Sequence, residues 1–255
     1  MRIAVAGSTG AVGSYVVQLA ALAGHEVVQI SRKLGVDART GEGLLDALDG
    51  VDIIIDTTNT TTTSRVKATA FFMEVTQKLQ SAGNAQRASR LVTLSILGVD
   101  LIPGFGYYEA KLAHEAAAKA GPLPATIVRA AQFFEFPSQI LSRGSLGPFA
   151  FVPSMRMQPV SARAVAQALV DEATSGGDTE STLELAGPNV EELTSLARVI
   201  VRSRQRRTVV VPFRIPGQAG KALRGGSLLA SSTTRIVGPT FQEWYHGDGA
   251  AGSRN

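Results

Sequence analysis

The sequence predicts a doubly wound α/β fold, a parallel sheet covered on both faces by helices, followed by a small C-terminal α+β region. Three observations predict it. Short apolar runs alternate with longer amphipathic stretches through the first two-thirds of the 255 residues, as alternating strands and helices require. Ile53, Ile54 and Ile55 are apolar at consecutive positions, the pattern of a strand buried on both faces. A glycine-rich turn follows directly on the first apolar run.

Strands are expected at 2–6, 26–31, 51–56, 90–95, 125–129 and 182–186, with helices between them at 13–23, 43–48, 63–81, 107–120 and 162–172. Thr62 or Thr63 is suited to cap the third of these helices. After residue 136 the rhythm breaks, where Pro137, Gly144, Gly147, Pro148 and Pro153 crowd a stretch that also holds Phe149, Phe151 and Met155. This reads as an irregular excursion over 137–157, of the kind that supplies substrate contacts. Beyond residue 187 a helix at 191–202 precedes a strand at 208–212. Phe241, Trp244 and Tyr245 are expected to dock a terminal helix by aromatic burial, and the mostly small and polar residues 247–255 to fray. The division is thus a large unit over 1–186 and a small one over 187–255.

Composition excludes several functions. Hydrophobic residues make up 44% and charged residues 18%, enough apolar side chain for a core and too little charge for a disordered chain. The net charge is +4, and only the run at 202–207 concentrates basic residues. That run is best read as the cationic end of a helix, so no nucleic-acid partner is expected. There are no cysteines and only three histidines, His25, His114 and His246, without ligand spacing. Disulfides, thiolate chemistry and a metal site are therefore not expected. His114 reads as a helix-surface residue. No apolar run approaches the ~18 residues of a membrane span, which points to a cytoplasmic protein without membrane contact.

The strongest local signal is Gly7-Ser8-Thr9-Gly10-Ala11-Val12-Gly13, between the first strand and the first helix. Glycines here allow a tight turn, close approach of backbone amides to a pyrophosphate, and tight helix–strand packing, while the helix N-terminus faces the anion. Specificity is expected at the end of the second strand, where a carboxylate would hold the ribose of NAD. The sequence has Ser31-Arg32-Lys33 instead. A hydroxyl and two cations suit a 2′-phosphate, so NADP is expected over NAD.

Tyr107 and Lys111 stand four apart in a helical stretch, which places phenol and ammonium on one face. A neighbouring cation would bring the phenol, ordinarily near ~10, toward neutral pH and fit it for proton exchange with a carbonyl or carbinol oxygen. Ser95, at a strand end, could hydrogen-bond the same oxygen. Tyr108 points elsewhere around the helix, and Glu115 is placed to pair with Lys111 at helical spacing.

With these residues in view, the chain resembles the short-chain dehydrogenase/reductase superfamily, in its atypical, NmrA-like and isoflavone-reductase-like branch. The resemblance rests on Gly7 to Gly13, on Ser95-Ile96-Leu97-Gly98-Val99, and on Tyr107, Tyr108, Lys111 and Glu115. It continues through Thr126-Ile127-Val128-Arg129 with Gln132-Phe133, and Gln158-Pro159-Val160-Ser161. It implies a Rossmann NAD(P)-binding domain and hydride transfer between NADPH and a small carbonyl or alcohol. Ser95, Tyr107 and Lys111 are then catalytic, with Lys111 also on the nicotinamide ribose. The resemblance further implies that Asp37, Thr57, Thr58 and Asn59 lie along the adenosine and ribose, with Gln132 and Phe133 facing the nicotinamide. Two alternatives stay open: an NADP-binding redox sensor that signals to a protein partner without turnover, and a sugar epimerase or dehydratase using tightly held NAD.

Overall fold

The computed structural model describes residues 1–62, 64–176, 180–205 and 207–247. The chain opens with β1 (Arg2–Ala6), α1 (Gly13–Leu22) and β2 (Glu26–Ile30), then a 3-10 turn at Arg32–Leu34 and the one-turn helix α2 (Leu44–Ala47). Next come β3 (Ile53–Asp56), α3 (Arg65–Ala85), β4 (Arg90–Ile96), α4 (Gly106–Ala120) and β5 (Ala125–Ala130). The middle holds α5 (Phe136–Gly144), β6 (Ser145–Leu146), β7 (Phe149–Pro153), β8 (Arg156–Met157), α6 (Ala162–Thr174) and β9 (Thr182–Ala186). The last part holds β10 (Glu191–Glu192), α7 (Leu193–Ser203), β11 (Val209–Phe213), α8 (Gly217–Gly225), β12 (Arg235–Ile236) and α9 (Phe241–His246).

Seven parallel strands form the main sheet in the order β12-β9-β5-β4-β3-β1-β2. Alternation along each strand divides the core. Ile3, Val5, Ile53 and Ile55 point to the face covered by α1 and α6, where Val16, Leu19, Val165 and Leu169 pack. Ala4, Ala6 and Ile54 point to the opposite face with Val75, Leu79 and Ala118 of α3 and α4. The chain leaves β1 toward β2 and leaves β3 toward β4, so the winding reverses between β1 and β3. A crevice opens there beyond the strand ends, the usual ligand position in such sheets.

The stretch 137–157 departs from expectation: it is α5 with three short strands rather than an irregular excursion. Pro137 lies in the first turn of α5, where a missing amide hydrogen removes no helical bond. Gly144 lets the backbone return against Phe151, whose carbonyl oxygen would sit 2.4 Å from any Cβ there. The side chains of α5, β7, β8, α7 and α8 share a second apolar cluster that includes Phe134, Leu141, Val152, Met157, Leu196 and Leu223. α9 closes it with Phe241 and Tyr245.

Ser64 caps α3, its hydroxyl accepting from the Lys67 amide at 3.5 Å, while Thr62 accepts from the Ser64 amide at 3.3 Å. Thr63, the other capping candidate, lies outside the described residues, as do Arg206 of the basic run and residues 248–255. Among the described residues no helix is long and apolar enough to cross a membrane, and no group of three or more histidines and acids could hold a metal.

Candidate functional site

The glycine turn sits at the reversal of winding. Gly7 takes a left-handed conformation, φ +77°, and its amide donates to Ile30 O at 3.0 Å. Gly13 has no room for a side chain: a Cβ would lie 2.2 Å from Gly7 O and 2.7 Å from Thr57 Oγ1. Thr57 completes the junction by donating its hydroxyl to Ala6 O at 2.8 Å. Ser8 is buried and donates its hydroxyl to Ile30 O at 3.3 Å. Thr57 and Ser8 therefore shape the turn from beneath, while Thr9, Gly10 and Ala11 are exposed on its rim.

The start of α1 is open. Its cap residue, Val12, offers no side-chain acceptor, and the first turn carries no acidic residue. The amides of Ala11, Val12 and Gly13 have no backbone acceptor among the described residues. Unmet helix-start donors and the positive end of the helix dipole together attract an anion. Further along the strand ends, Ser31 Oγ and Thr58 Oγ1 are shielded from solvent without hydrogen-bond partners, and the Gln132 amide lies beside the Tyr108 hydroxyl. Such unmet groups are uncommon in folded proteins and point to a polar ligand. These features at the ends of β1, β2, β3 and β5 fit a dinucleotide laid across the sheet edge.

At the end of β2, Arg32 and Lys33 are exposed on the 3-10 turn, and among the described residues neither has a salt-bridge partner. The Asp37 carboxylate accepts from the Arg39 amide at 2.8 Å. Phe133 packs beside the main core and forms an isolated bridge with Val160.

The three catalytic candidates hydrogen-bond to other groups rather than to one another. Tyr107 donates its hydroxyl to Asn59 Oδ1 at 2.6 Å. Lys111 turns inward instead of toward the phenol: its Nζ donates to Leu94 O at 3.0 Å, stands 3.1 Å from His114 Nδ1, and lies 4.4 Å above the Phe72 ring. The expected lowering of the phenol by Lys111 is absent. Burial instead pushes Tyr107 up to about 12, against a smaller opposing effect of the Asn59 hydrogen bond. Tyr108 is directed into the second apolar cluster. Burial raises its phenol too, with the nearby Gln132 amide opposing.

Ser95 is committed elsewhere. Its hydroxyl donates to Glu115 Oε1 at 2.5 Å, and Arg129 grips the same carboxylate through Nε at 3.0 Å and Nη2 at 2.8 Å. Glu115 thus pairs with Arg129 of β5 rather than with Lys111 on its own helix. Adjacent register places Ser95 beside Arg129, which local helical spacing cannot reveal.

His114 is fully buried, at 0% exposure, and its Nε2 lies 3.0 Å from Asp56 Oδ2. This corrects its reading as a surface residue. Asp56, missed by the sequence reading, also accepts from the Thr58 amide at 2.8 Å. Burial works to raise its carboxyl, but the His114 and Thr58 hydrogen bonds leave it below its ordinary value. Its only sequence signal is an acid ending a fully apolar strand, a position that demands a partner.

No family model and no curated protein matches the sequence. Solved structures do match in fold. The chain superposes on a short-chain dehydrogenase/reductase superfamily protein from Agrobacterium tumefaciens with bound NAD, at TM-score 0.73 and 18% identity, covering 100% of this chain and 97% of that one. A triphenylmethane reductase from Citrobacter sp., complexed with NADP(H), matches at TM-score 0.64 and 16% identity over 95% of this chain and 98% of that one. An NADPH-dependent quinone oxidoreductase from Escherichia coli, complexed with NADPH, matches at TM-score 0.66 and 17% identity over 96% and 99%. The fold is that of these nucleotide-binding proteins, a Rossmann-like α/β sheet with small added C-terminal sheets.

Proposed function

We propose that the chain is an NADP-dependent oxidoreductase that passes hydride from NADPH to a small conjugated carbonyl acceptor of the quinone type. The observation that carries the reading is the uncapped start of α1, behind a turn in which neither Gly7 nor Gly13 accommodates a side chain. Backbone amides of Ala11, Val12 and Gly13 would hold the pyrophosphate, Ser31, Arg32 and Lys33 the 2′-phosphate, and Thr58, Asn59 and Gln132 the riboses and nicotinamide. The nucleotide supplies a hydride when bound.

The surroundings of Tyr107 favour the acceptor class. Reduction of an isolated ketone generates an alkoxide about as basic as hydroxide and needs a strong proton donor beside it. A quinone that takes hydride becomes a phenolate, whose conjugate acid resembles tyrosine at ~10 and which water can protonate. Tyr107 is kept neutral by burial, and its one hydroxyl proton, given to Asn59, would have to turn from Asn59 to that oxygen to donate a hydrogen bond there. Ser95 and Lys111, engaged with Glu115 and His114, are not arranged for alcohol oxidation.

The same engagement supports a second reading, an NADP-binding sensor without turnover. A sugar epimerase or dehydratase is less well supported, since no acid at the end of β2 favours NAD. Fluorescence titration should give tighter binding of NADPH than of NADH. Arg32→Ala should weaken NADPH about tenfold or more, the order expected for a lost charge-assisted bond, and leave NADH unchanged. Equal affinities would overturn the cofactor assignment, and no thermal shift with either nucleotide at millimolar concentration would overturn the whole reading. Oxidation of NADPH with quinones and not with simple ketones supports the enzyme, whereas unconsumed NADPH across quinones, activated alkenes, aldehydes and ketones selects the sensor.

A further inference from the structure

We propose that His114 is a positioning residue: its neutral imidazole, clamped between Asp56 and Lys111, holds the loop at 57–59 in register with α4, and charging it expels Lys111 from the clamp. The inference rests on the nucleotide reading only for its effect on affinity. Tyr107, Lys111 and His114 follow the spacing i, i+4, i+7 and so form one stripe along α4. The stripe faces the end of β3 at two points: Tyr107 donates to Asn59 at one end, and His114 meets Asp56 at the other. Asp56 in turn anchors the loop through the Thr58 amide. Lys111 stands between, 3.1 Å from His114 Nδ1.

The charge state follows from the partners. A carboxylate only accepts, so Nε2 carries the imidazole proton; an ammonium only donates, so Nδ1 accepts. The imidazole is then neutral and in one tautomer, which relays the field of Asp56 to Lys111. Facing it are Asp56 from β3 and, from α4 itself, Lys111 and Glu115, the latter neutralised by Arg129 of β5. From α3 comes the uncharged Phe72 ring, stacked at 4.7 Å and 16°. Burial, then Lys111, holds the imidazole below its ordinary value, against Asp56 and Glu115. A second proton would set two donors and two positive charges against each other across the Nδ1 contact, so Lys111 would have to withdraw.

The test compares the Kd for NADPH from pH 8 to pH 5 in the unsubstituted protein and in His114→Gln. The glutamine amide can accept from Lys111 and donate to Asp56 but cannot gain a proton. The 2′-phosphate titrates identically in both, so their ratio isolates the imidazole. We expect the unsubstituted protein to lose affinity by roughly fivefold or more relative to His114→Gln on acidification; parallel profiles would overturn the proposal. Should His114→Gln fail to fold, nitrogen NMR of the unsubstituted protein decides: His114 should hold the Nε2–H tautomer at neutral pH and resist protonation. The Asn59 side-chain amide signals should shift when His114 does gain its proton, with or without nucleotide. Asn59 signals indifferent to the protonation of His114 would overturn the coupling. Failure of NADPH to bind at every pH would sink the nucleotide reading, and the Asn59 signals would still decide the clamp.

Discussion

At the scale of single residues, Gly13 and Lys111 make the most direct predictions. Gly13→Ala places a Cβ inside the turn at 2.2 Å from a backbone oxygen, which cannot yield as a flexible side chain would. We expect a stability loss of about 1–3 kcal/mol from overpacking, with nucleotide binding lost; unchanged Tm and Kd would refute the junction. Lys111 is 4% exposed, and burial lowers it from its ordinary 10.5 to about 8, with Asp56 and Glu115 opposing. Between those two values the folded chain has released the proton while the unfolded chain still binds it, so stability rises with pH across that window. Lys111→Met should flatten that rise in urea denaturation from pH 8 to 10.5, and an unaltered slope would contradict the buried ammonium. Residue identities on α4 were readable as a motif, but their partners were not. Lys111 and Glu115 have the spacing of a helix pair, yet each turns to another element because both lie on buried faces where sheet and helix side chains compete for them.

At the scale of elements, polar side chains tie helices to the sheet where backbone bonding ends. Gln80 of α3 donates to Ala118 O at 2.7 Å and to Leu123 O at 3.2 Å, and accepts from the Leu123 amide at 2.8 Å. It therefore serves the last turn of α4, whose carbonyls have no helical partner, and the turn into β5. Gly121 is required beside it, since a Cβ would lie 2.2 Å from the Gln80 side chain. Gln80→Leu should cost roughly 3 kcal/mol, the order expected for buried groups left unmet, measured by urea denaturation; a loss within experimental error would show that α4 ends independently of α3. Strands β1 to β5 and their helices were readable because two-residue and 3.6-residue periodicities are local. The elements at 136–157 were not, because two-residue strands such as β6 and β8 exist only through pairing with distant segments.

At the scale of the whole molecule, Phe134, just past β5, belongs to the second apolar cluster. Its ring meets Phe241 at 5.6 Å and Trp244 at 5.2 Å, and Tyr245 is hydrogen-bonded to Ser203 at the end of α7. The C-terminal helix α9 is thereby fastened to the second apolar cluster, as the terminal aromatic cluster suggested. Phe241→Ala should cost about 3–5 kcal/mol, moving Trp244 fluorescence and far-UV circular dichroism together in one urea transition. A change confined to Trp244 fluorescence would show instead that the C-terminal elements unfold on their own. β12, drawn from the tail, pairs with β9 at the edge of the main sheet, so the last part of the chain contributes to both bodies.

By itself, the sequence determined the order of strands and helices from β1 to β5, the glycine turn and the basic end of β2, because each depends on residues near one another along the chain. Only the tertiary structure decided which polar groups meet: His114 with Asp56 across 58 positions, Tyr107 with Asn59 across 48, and Ser95 with Glu115 across 20. A buried donor or acceptor takes whichever partner packing brings within about 3 Å. That choice is made by the meeting of faces from distant elements, which no local period encodes.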